Sequence, residues 1–328
     1  PISDPIWSRK CRGSYSLHDH FRIHSPKFPC GKEARRSMSK IQNQKNTNKW
    51  SSTTGHNAPS LGAILRTTFL IVVTLLILAP VLWFVLSSFK DVTDLSSRPP
   101  KILPSHWAFS NYTEAFKMYN YKRYFANSVI VTSVAAILTL VINSMAAYAF
   151  AKYNFRGRDG LFVLTLAMIM IPLQVILIPI YLVVSSLGLV NTYWGMIIPA
   201  AATPTGVFII RQYMLTIPDE LIEAARIDGA GEFRIFARIV LPLCRPALAV
   251  VAIFSILWRW NDFLWPLLIA QKEELYTLPV ALALLNGQLV VPYNIVLAMS
   301  VMSIIPVLFM FVFMQRQIIQ GIAQTGIK

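Results

Sequence analysis

The sequence predicts an all-α, polytopic membrane protein: six transmembrane helices with a short amphipathic helix–turn–helix between the fourth and fifth. Three observations lead there. Of 328 residues, 55% are hydrophobic and only 14% are charged, far from a soluble globular mix. Six apolar runs reach or approach the roughly 20 residues that cross about 30 Å of hydrocarbon. And the stretch EAARIDGAGEFRIFARIVLP (223–242) is charged and glycine-interrupted, where a simple reversal needs only about four residues.

The spans are expected at 67–89, 129–150, 161–184, 193–213, 246–270 and 294–314. The first, TTFLIVVTLLILAPVLWFVLSSF, has no charge. The third and fourth form a tight hairpin, separated by SSLGLVNT. Prolines 80, 172, 179, 199, 266 and 306 lie in or near spans, where neighbouring helices or water can satisfy the carbonyls they free.

Lys and Arg set the orientation. With the N-terminus inside, the internal segments hold the twelve basic residues of 1–66, then Lys152, Arg156 and Arg158, then Arg211, Arg226, Arg234, Arg238 and Arg245, and finally Arg316 and Lys328. The external segments hold the six of 90–123 and Lys272, and Arg259 lies inside a span. Both termini are therefore expected in the cytoplasm of a cell (plasma) membrane protein. The net charge of +15 is mostly this bias. No basic run interleaved with aromatics occupies a soluble domain, so nucleic acid is not an expected partner.

Residues 1–60 read as a basic, disordered cytoplasmic tail, and 61–328 as the membrane domain with a loop at 215–245. The chain begins with Pro, and 1–37 is irregular; Met38 is the expected natural start. Cys11, His18, His20, His24 and Cys30 imitate a metal set, but no pair has metal-ligand spacing, and no metal site is expected. With Cys244 there are three cysteines, not a disulfide framework.

Catalytic signatures are missing. All five histidines (18, 20, 24, 56 and 106) lie outside the spans. There is no P-loop and no G-x-S-x-G elbow. The chain is read as a non-enzyme with no cofactor of its own.

TIPDELIEAARIDG (216–229) has the grammar of a short helix. Pro218, Asp219 and Glu220 suit a first turn, Arg226 sits near the far end, and Gly229 can take a left-handed stop. A second helix follows in EFRIFARIV, with Phe233, Phe236 and Val240 on one side, closed by Leu241 and Pro242. On residues alone three readings stand: DNA binding, a hairpin lying on lipid headgroups, and a docking knob for a soluble partner, with Ala224 and Ala225 allowing close approach.

The motif Glu223, Ala224, Ala225, Gly229, Ile239, Leu241, Pro242 resembles the EAA loop of binding-protein-dependent ABC importer permeases. FSNYTEAF…RYFANSVIVT (109–132), AAYAFAKYNFRGR (146–158), WNDFLWPLL (260–268), YTLPVAL (276–282) and QRQIIQGIAQTGIK (315–328) are similar to the carbohydrate branch, which includes the maltose-type second permease. The resemblance covers about 60–328 and implies a type I ABC importer permease fold. It implies that 215–245 holds a coupling helix docked in a separate cytoplasmic ATP-binding-cassette ATPase dimer, which carries the ATP and Mg. It also implies a second permease subunit, an extracytoplasmic solute-binding protein and a sugar-like substrate moved inward by alternating access. Glu223 is then the expected polar anchor, Ala224 and Ala225 the close-approach surface and Gly229 the turn.

For the pathway, Arg259, Asn261 and Asp262 in WRWNDF lie about 20 Å into the fifth span at 1.5 Å per residue. Charges at that depth face the bundle interior or water. They are expected either to line the sugar path, with Trp258 and Trp260 as stacking faces, or to form a structural Arg–Asp pair beside an aromatic belt. Asn143 is a further polar candidate. The rival function is a stand-alone secondary transporter, which usually shows repeated halves; none is evident. An intramembrane enzyme is the remaining rival, and it lacks every signature.

Overall fold

The computed structural model describes residues 61–325. The expectations for residues 1–60, including the Met38 start and the Cys/His set, lie outside the described residues, as does the end of the tail. The chain divides between Thr67 and Thr68. Of the first unit only the opening turns of the first helix are described, and all packing below belongs to the second.

The helices are α1 (Leu61–Ser87), α2 (Ser110–Met118), α3 (Tyr121–Lys152), α4 (Arg158–Met170), α5 (Leu173–Ser186), α6 (Tyr193–Ala200), α7 (Pro204–Met214), α8 (Glu220–Ile227), α9 (Glu232–Leu243), α10 (Arg245–Trp260), α11 (Leu264–Ile269), α12 (Leu278–Asn286) and α13 (Tyr293–Thr325). No strand occurs among the described residues. Lipid offers the backbone no hydrogen bonds, so an open chain crosses it as helix.

α1, α3 and residues Tyr293–Phe313 of α13 are each long and apolar enough to cross a bilayer alone. The remaining crossing candidates are bent pairs: α4 with α5 at 107°, α6 with α7 at 46°, and α9 with α10 at 80°. By length and composition alone, counting each pair as one span gives at most six, and the α9 half of the last pair belongs to the expected 215–245 loop. The third and fourth expected spans are thus not single rods, and proline chemistry explains where they break. Pro172 and Pro204 follow the breaks, and a residue before proline is pushed out of the helical region. Ile171 has ψ 118° and Thr203 has ψ 121°. The expected fifth span, 246–270, is also interrupted: α10 stops at Trp260 and α11 resumes at Leu264.

α3 is the axis of the bundle. Asn127, Val131, Ala135, Thr139, Asn143 and Ala147 are all buried and lie four residues apart, so they form one continuous ridge that winds around the helix. Small and hydroxyl side chains let neighbouring backbones come close in a membrane, and α7 and α10 are the main neighbours on α3. By contrast, none of the most apolar window of α1 is buried.

Three buried clusters follow the length of α3. Tyr121, Tyr124, Trp260, Leu278 and Met299 gather at its start. Val131, Ala135, Met196, Trp265 and Ile269 lie further along. Ala147, Tyr148, Ile210, Met214, Ile222, Ala225, Ile235, Phe236 and Val240 close its far end. The last cluster draws on α8 and α9, so the loop between the fourth and fifth spans is seated in the core rather than hanging from it.

Candidate coupling helix and translocation cleft

α8 opens at Glu220, with Asp219 in the capping position but no side-chain cap. The Asp219 carboxylate turns instead to Lys152 Nζ, at 2.6 Å. The backbone carbonyl of Asp219 accepts from the N–H groups of Ile222 and Glu223. At the other end Gly229 has φ +78°. The Ala230 N–H reaches the Ala225 carbonyl at 2.9 Å and the Gly229 N–H reaches the Arg226 carbonyl at 3.0 Å, a paired closure that only a left-handed residue permits. A Cβ on Gly229 would meet nothing within 4 Å, so a side chain there costs backbone strain alone. Gly229→Val is expected to lower stability by about 1–2 kcal/mol, read as a reduced melting temperature of the detergent-purified protein. An unchanged melting temperature would contradict the assigned turn.

The helical period sorts the motif. Ile222 and Ala225, three apart, face inward at 3% and 8% exposure. Glu220, Glu223, Ala224 and Ile227 face outward, and Ile227 is 86% exposed. This corrects the expectation for Ala225: it packs in the chain's own core and offers no surface to a partner, and only Ala224 of the pair does. Ile239 and Leu241 are half-buried against the same cluster, and Pro242 is exposed. Phe233 lies beside Phe236 as expected, with ring centroids 6.4 Å apart, but the buried part of α9 is Ile235, Phe236 and Val240, and Phe233, in its first turn, is 76% exposed. Glu223 has no side-chain partner among the described residues.

Residues that the sequence reading passed over hold this loop in place. Glu232 Oε1 accepts from Arg226 Nε at 2.7 Å, and Glu232 Oε2 accepts from Tyr153 OH at 2.7 Å. The Arg226 bond, and then the Tyr153 bond, hold the Glu232 carboxyl below its ordinary range. The acid opening the second helix and Arg226, six residues before it, were both visible in the sequence, but Tyr153 was not legible as a partner, because the fold brings it from the end of α3, 79 positions away.

The second site lies between α7 and α10. Thr203, Gly206, Phe254, Ser255, Trp258 and Arg259 are among the residues lining a cleft of about 120 Å³. Trp258 is 63% exposed there. Trp260, the other expected stacking face, is buried: its Nε1 donates to the Ser303 carbonyl at 3.1 Å and its ring meets Phe125 edge-on. Two residues apart on one helix, the two rings point about 160° from each other.

Arg259 and Asp262 form no ion pair among the described residues. Arg259 donates through Nη1 to the Ser255 carbonyl at 3.1 Å and to Ser255 Oγ at 2.5 Å. Through Nη2 it reaches Thr139 Oγ1 at 2.7 Å and the Ala200 carbonyl. That carbonyl ends α6 at the break in the fourth span. Asn143 serves the other side of the same break: its Nδ2 donates to Thr203 Oγ1 at 2.6 Å and its Oδ1 accepts from the Thr203 N–H at 3.0 Å. Both polar candidates are thus occupied as fasteners of a broken helix. Arg259 also lines the cleft, with a buried Nε that has no acceptor; Asn143 is fully buried behind it. Asn261 and Asp262 manage the break in the fifth span. Asn261 Nδ2 returns to the Leu257 carbonyl at 2.8 Å, and Asp262 Oδ1 accepts from the Trp265 N–H at 3.4 Å.

Residues 140–322 match the family described as binding-protein-dependent transport system inner membrane component. The arabinooligosaccharides transport system permease protein AraQ of Halalkalibacterium halodurans is 40% identical over 252 residues, 76% of this chain and 90% of that protein. The diacetylchitobiose uptake system permease protein NgcG of Streptomyces coelicolor is 34% identical over 80% of this chain and 88% of that one. The sn-glycerol-3-phosphate permease UgpE of Agrobacterium fabrum is 31% identical over 81% and 97%. Among solved structures, a bacterial ABC transporter for import of the acidic polysaccharide alginate superposes with a TM-score of 0.69 at 25% identity, covering 79% of this chain and 97% of that one. A stand-alone secondary transporter does not fit these relatives, and the EAA loop, the broken spans and the family match converge: the chain belongs to the binding-protein-dependent transport system inner membrane component family, the permeases of ABC importers.

Proposed function

We propose that this permease moves a sugar or sugar-like solute inward, driven by ATP bound on a separate ATPase dimer docked at α8. The observation that carries this is the outward face of α8 and α9. Glu223, with no side-chain partner among the described residues, shares the outward face of α8 with Ala224 and Ile227, Phe233 is exposed at the start of α9, and α8 is seated through Ile222 and Ala225. An exposed apolar and acidic face on a short stiff element suits a cleft on a partner protein. In this reading that end of the bundle is cytoplasmic, as the basic residues favour, together with both termini. The chain itself does no chemistry; ATP and Mg belong to the partner. A second permease completes the path, and a solute-binding protein delivers from the opposite side. The names of the relatives favour an oligosaccharide, and Trp258 offers such a solute an exposed ring at the cleft.

The test is reconstitution of the permease with a cognate ATPase, second permease and binding protein. Labelled arabinooligosaccharide, diacetylchitobiose and sn-glycerol-3-phosphate are then offered with and without ATP. Uptake of a saccharide that stops on ATP removal and survives an uncoupler supports the reading; an assembly without an ATPase defeats it. In the same assay Trp258→Ala is expected to raise the half-saturating solute concentration by roughly tenfold, the equivalent of about 1.4 kcal/mol of lost stacking. No change there would remove Trp258 from the path.

A further inference from the structure

Two straps hold α8, and both end on consecutive residues at the end of α3. At the start of α8, Lys152 Nζ donates to the Ile217 carbonyl and to Asp219 Oδ1, each at 2.6 Å, and the Lys152 side chain is only 3% exposed. At its end, Arg226 makes a forked pair with Glu232, Nε to Oε1 at 2.7 Å and Nη2 to Oε2 at 3.3 Å. Glu232 Oε2 then accepts from Tyr153 OH at 2.7 Å and from Tyr148 OH at 3.4 Å. The Tyr148 ring lies against Phe236 of α9, with centroids 5.2 Å apart.

α8 and α9 are connected through Gly229 and Gly231. Their inner faces share one apolar cluster, Ile222 and Ala225 with Ile235 and Phe236, and among the described residues the Arg226–Glu232 pair is the directional polar contact across that turn. Both partners of that pair are more than 40% exposed, and ion pairs so exposed add little to stability. Their value here is geometric, because a planar fork fixes orientation as well as distance. Lys152 differs: a buried ammonium held by one carbonyl and one carboxylate stays in place only while both acceptors do.

We propose that Glu232, with Arg226, Tyr153 and Lys152, makes α8 and the end of α3 one rigid body, so that a push on α8 reaches the axial helix instead of being absorbed by the glycine turn. These are positioning residues, distinct from the docking face, and they set how much uptake each ATP yields. The inference rests on the ATPase reading above. That reading fails separately, as a wild-type assembly that binds no ATPase.

The test places spin labels at Asp228 and Arg156, both exposed, in a chain with Cys11 and Cys30 replaced by serine, within the full assembly. In the wild type the label spacing is expected to be the same nucleotide-free and trapped with MgATP and vanadate. In Glu232→Gln and Tyr153→Phe the spacing broadens already without nucleotide and shifts on trapping. The ATPase still co-purifies, while uptake of labelled arabinooligosaccharide per ATP hydrolysed falls about tenfold, within the usual range for couplings between sites. Wild-type spacing in both variants overturns the proposal, as does a wild-type spacing that itself changes on trapping. Loss of the ATPase from both variants would reassign these residues to docking and overturn it too. Should Glu232→Gln not accumulate, Tyr153→Phe, which removes one hydroxyl, decides alone.

Discussion

Glu223→Lys is expected to leave the permease inserted in the membrane and to abolish uptake, with the ATPase no longer co-purifying. Insertion should be untouched, because the side chain is exposed and bonds to nothing else among the described residues. The change is therefore felt only where a partner sits. Glu223 lies in the first turn of α8, where a carboxylate is favoured by the helix dipole and a cation is not. Reversing a charge at a desolvated contact leaves the opposing charge unpaired and adds repulsion, a loss of about 2–5 kcal/mol, enough to empty the site at micromolar concentrations. Glu223→Gln keeps the shape and should lose less. The measurement is ATPase retained on the purified permease, beside ATP-driven uptake. Full retention and full uptake in the lysine variant would mean that α8 docks through another residue, or not at all.

Gly206→Ala is the second substitution with a large expected effect, and it acts inside the bundle. A Cβ at position 206 would lie 2.1 Å from Asn143 Nδ2 and 2.6 Å from Thr203 Oγ1. Neither neighbour can yield cheaply. Asn143 is fully buried, and its amide holds both the N–H and the hydroxyl of Thr203. To admit one methyl group, the bundle must give up the fasteners of the break or push α7 off α3. Overpacking of this kind costs about 1–3 kcal/mol, and more where backbone must shift. The expected result is a lower melting temperature, lower yield and lost uptake. Wild-type melting would show that the Asn143–Thr203 bridge is not needed to hold the fourth span.

Much of this was legible in the residues. The apolar runs located the spans, because span length is set by the bilayer and not by packing. The EAA spacing located the loop, and the left-handed Gly229 followed from its place at the end of a short helix. The breaks were harder to read. A proline in a membrane helix is tolerated when neighbours supply the missing bonds, so Pro172 and Pro204 look no different in sequence from Pro80, which sits inside the continuous α1. The roles of Asn143 and Arg259 depended on the same unknown. Each is a polar residue in an apolar run, and only the fold shows that α3 and α10 carry them to the two ends of the gap at Ala200–Thr203. Ala224 and Ala225 are identical letters, and the inward phase set by Ile222 separates them. Trp258 and Trp260 part for a similar reason: two positions on one helix look in nearly opposite directions.

The gap in the fourth span has a mechanical consequence. Its free backbone groups are served by side chains from two other rods, an amide from one and a guanidinium from the other. An elbow secured in this way can alter its angle by trading one acceptor for the next, much as a hinge pin slides, whereas a bend secured by its own ladder would have to melt a turn first.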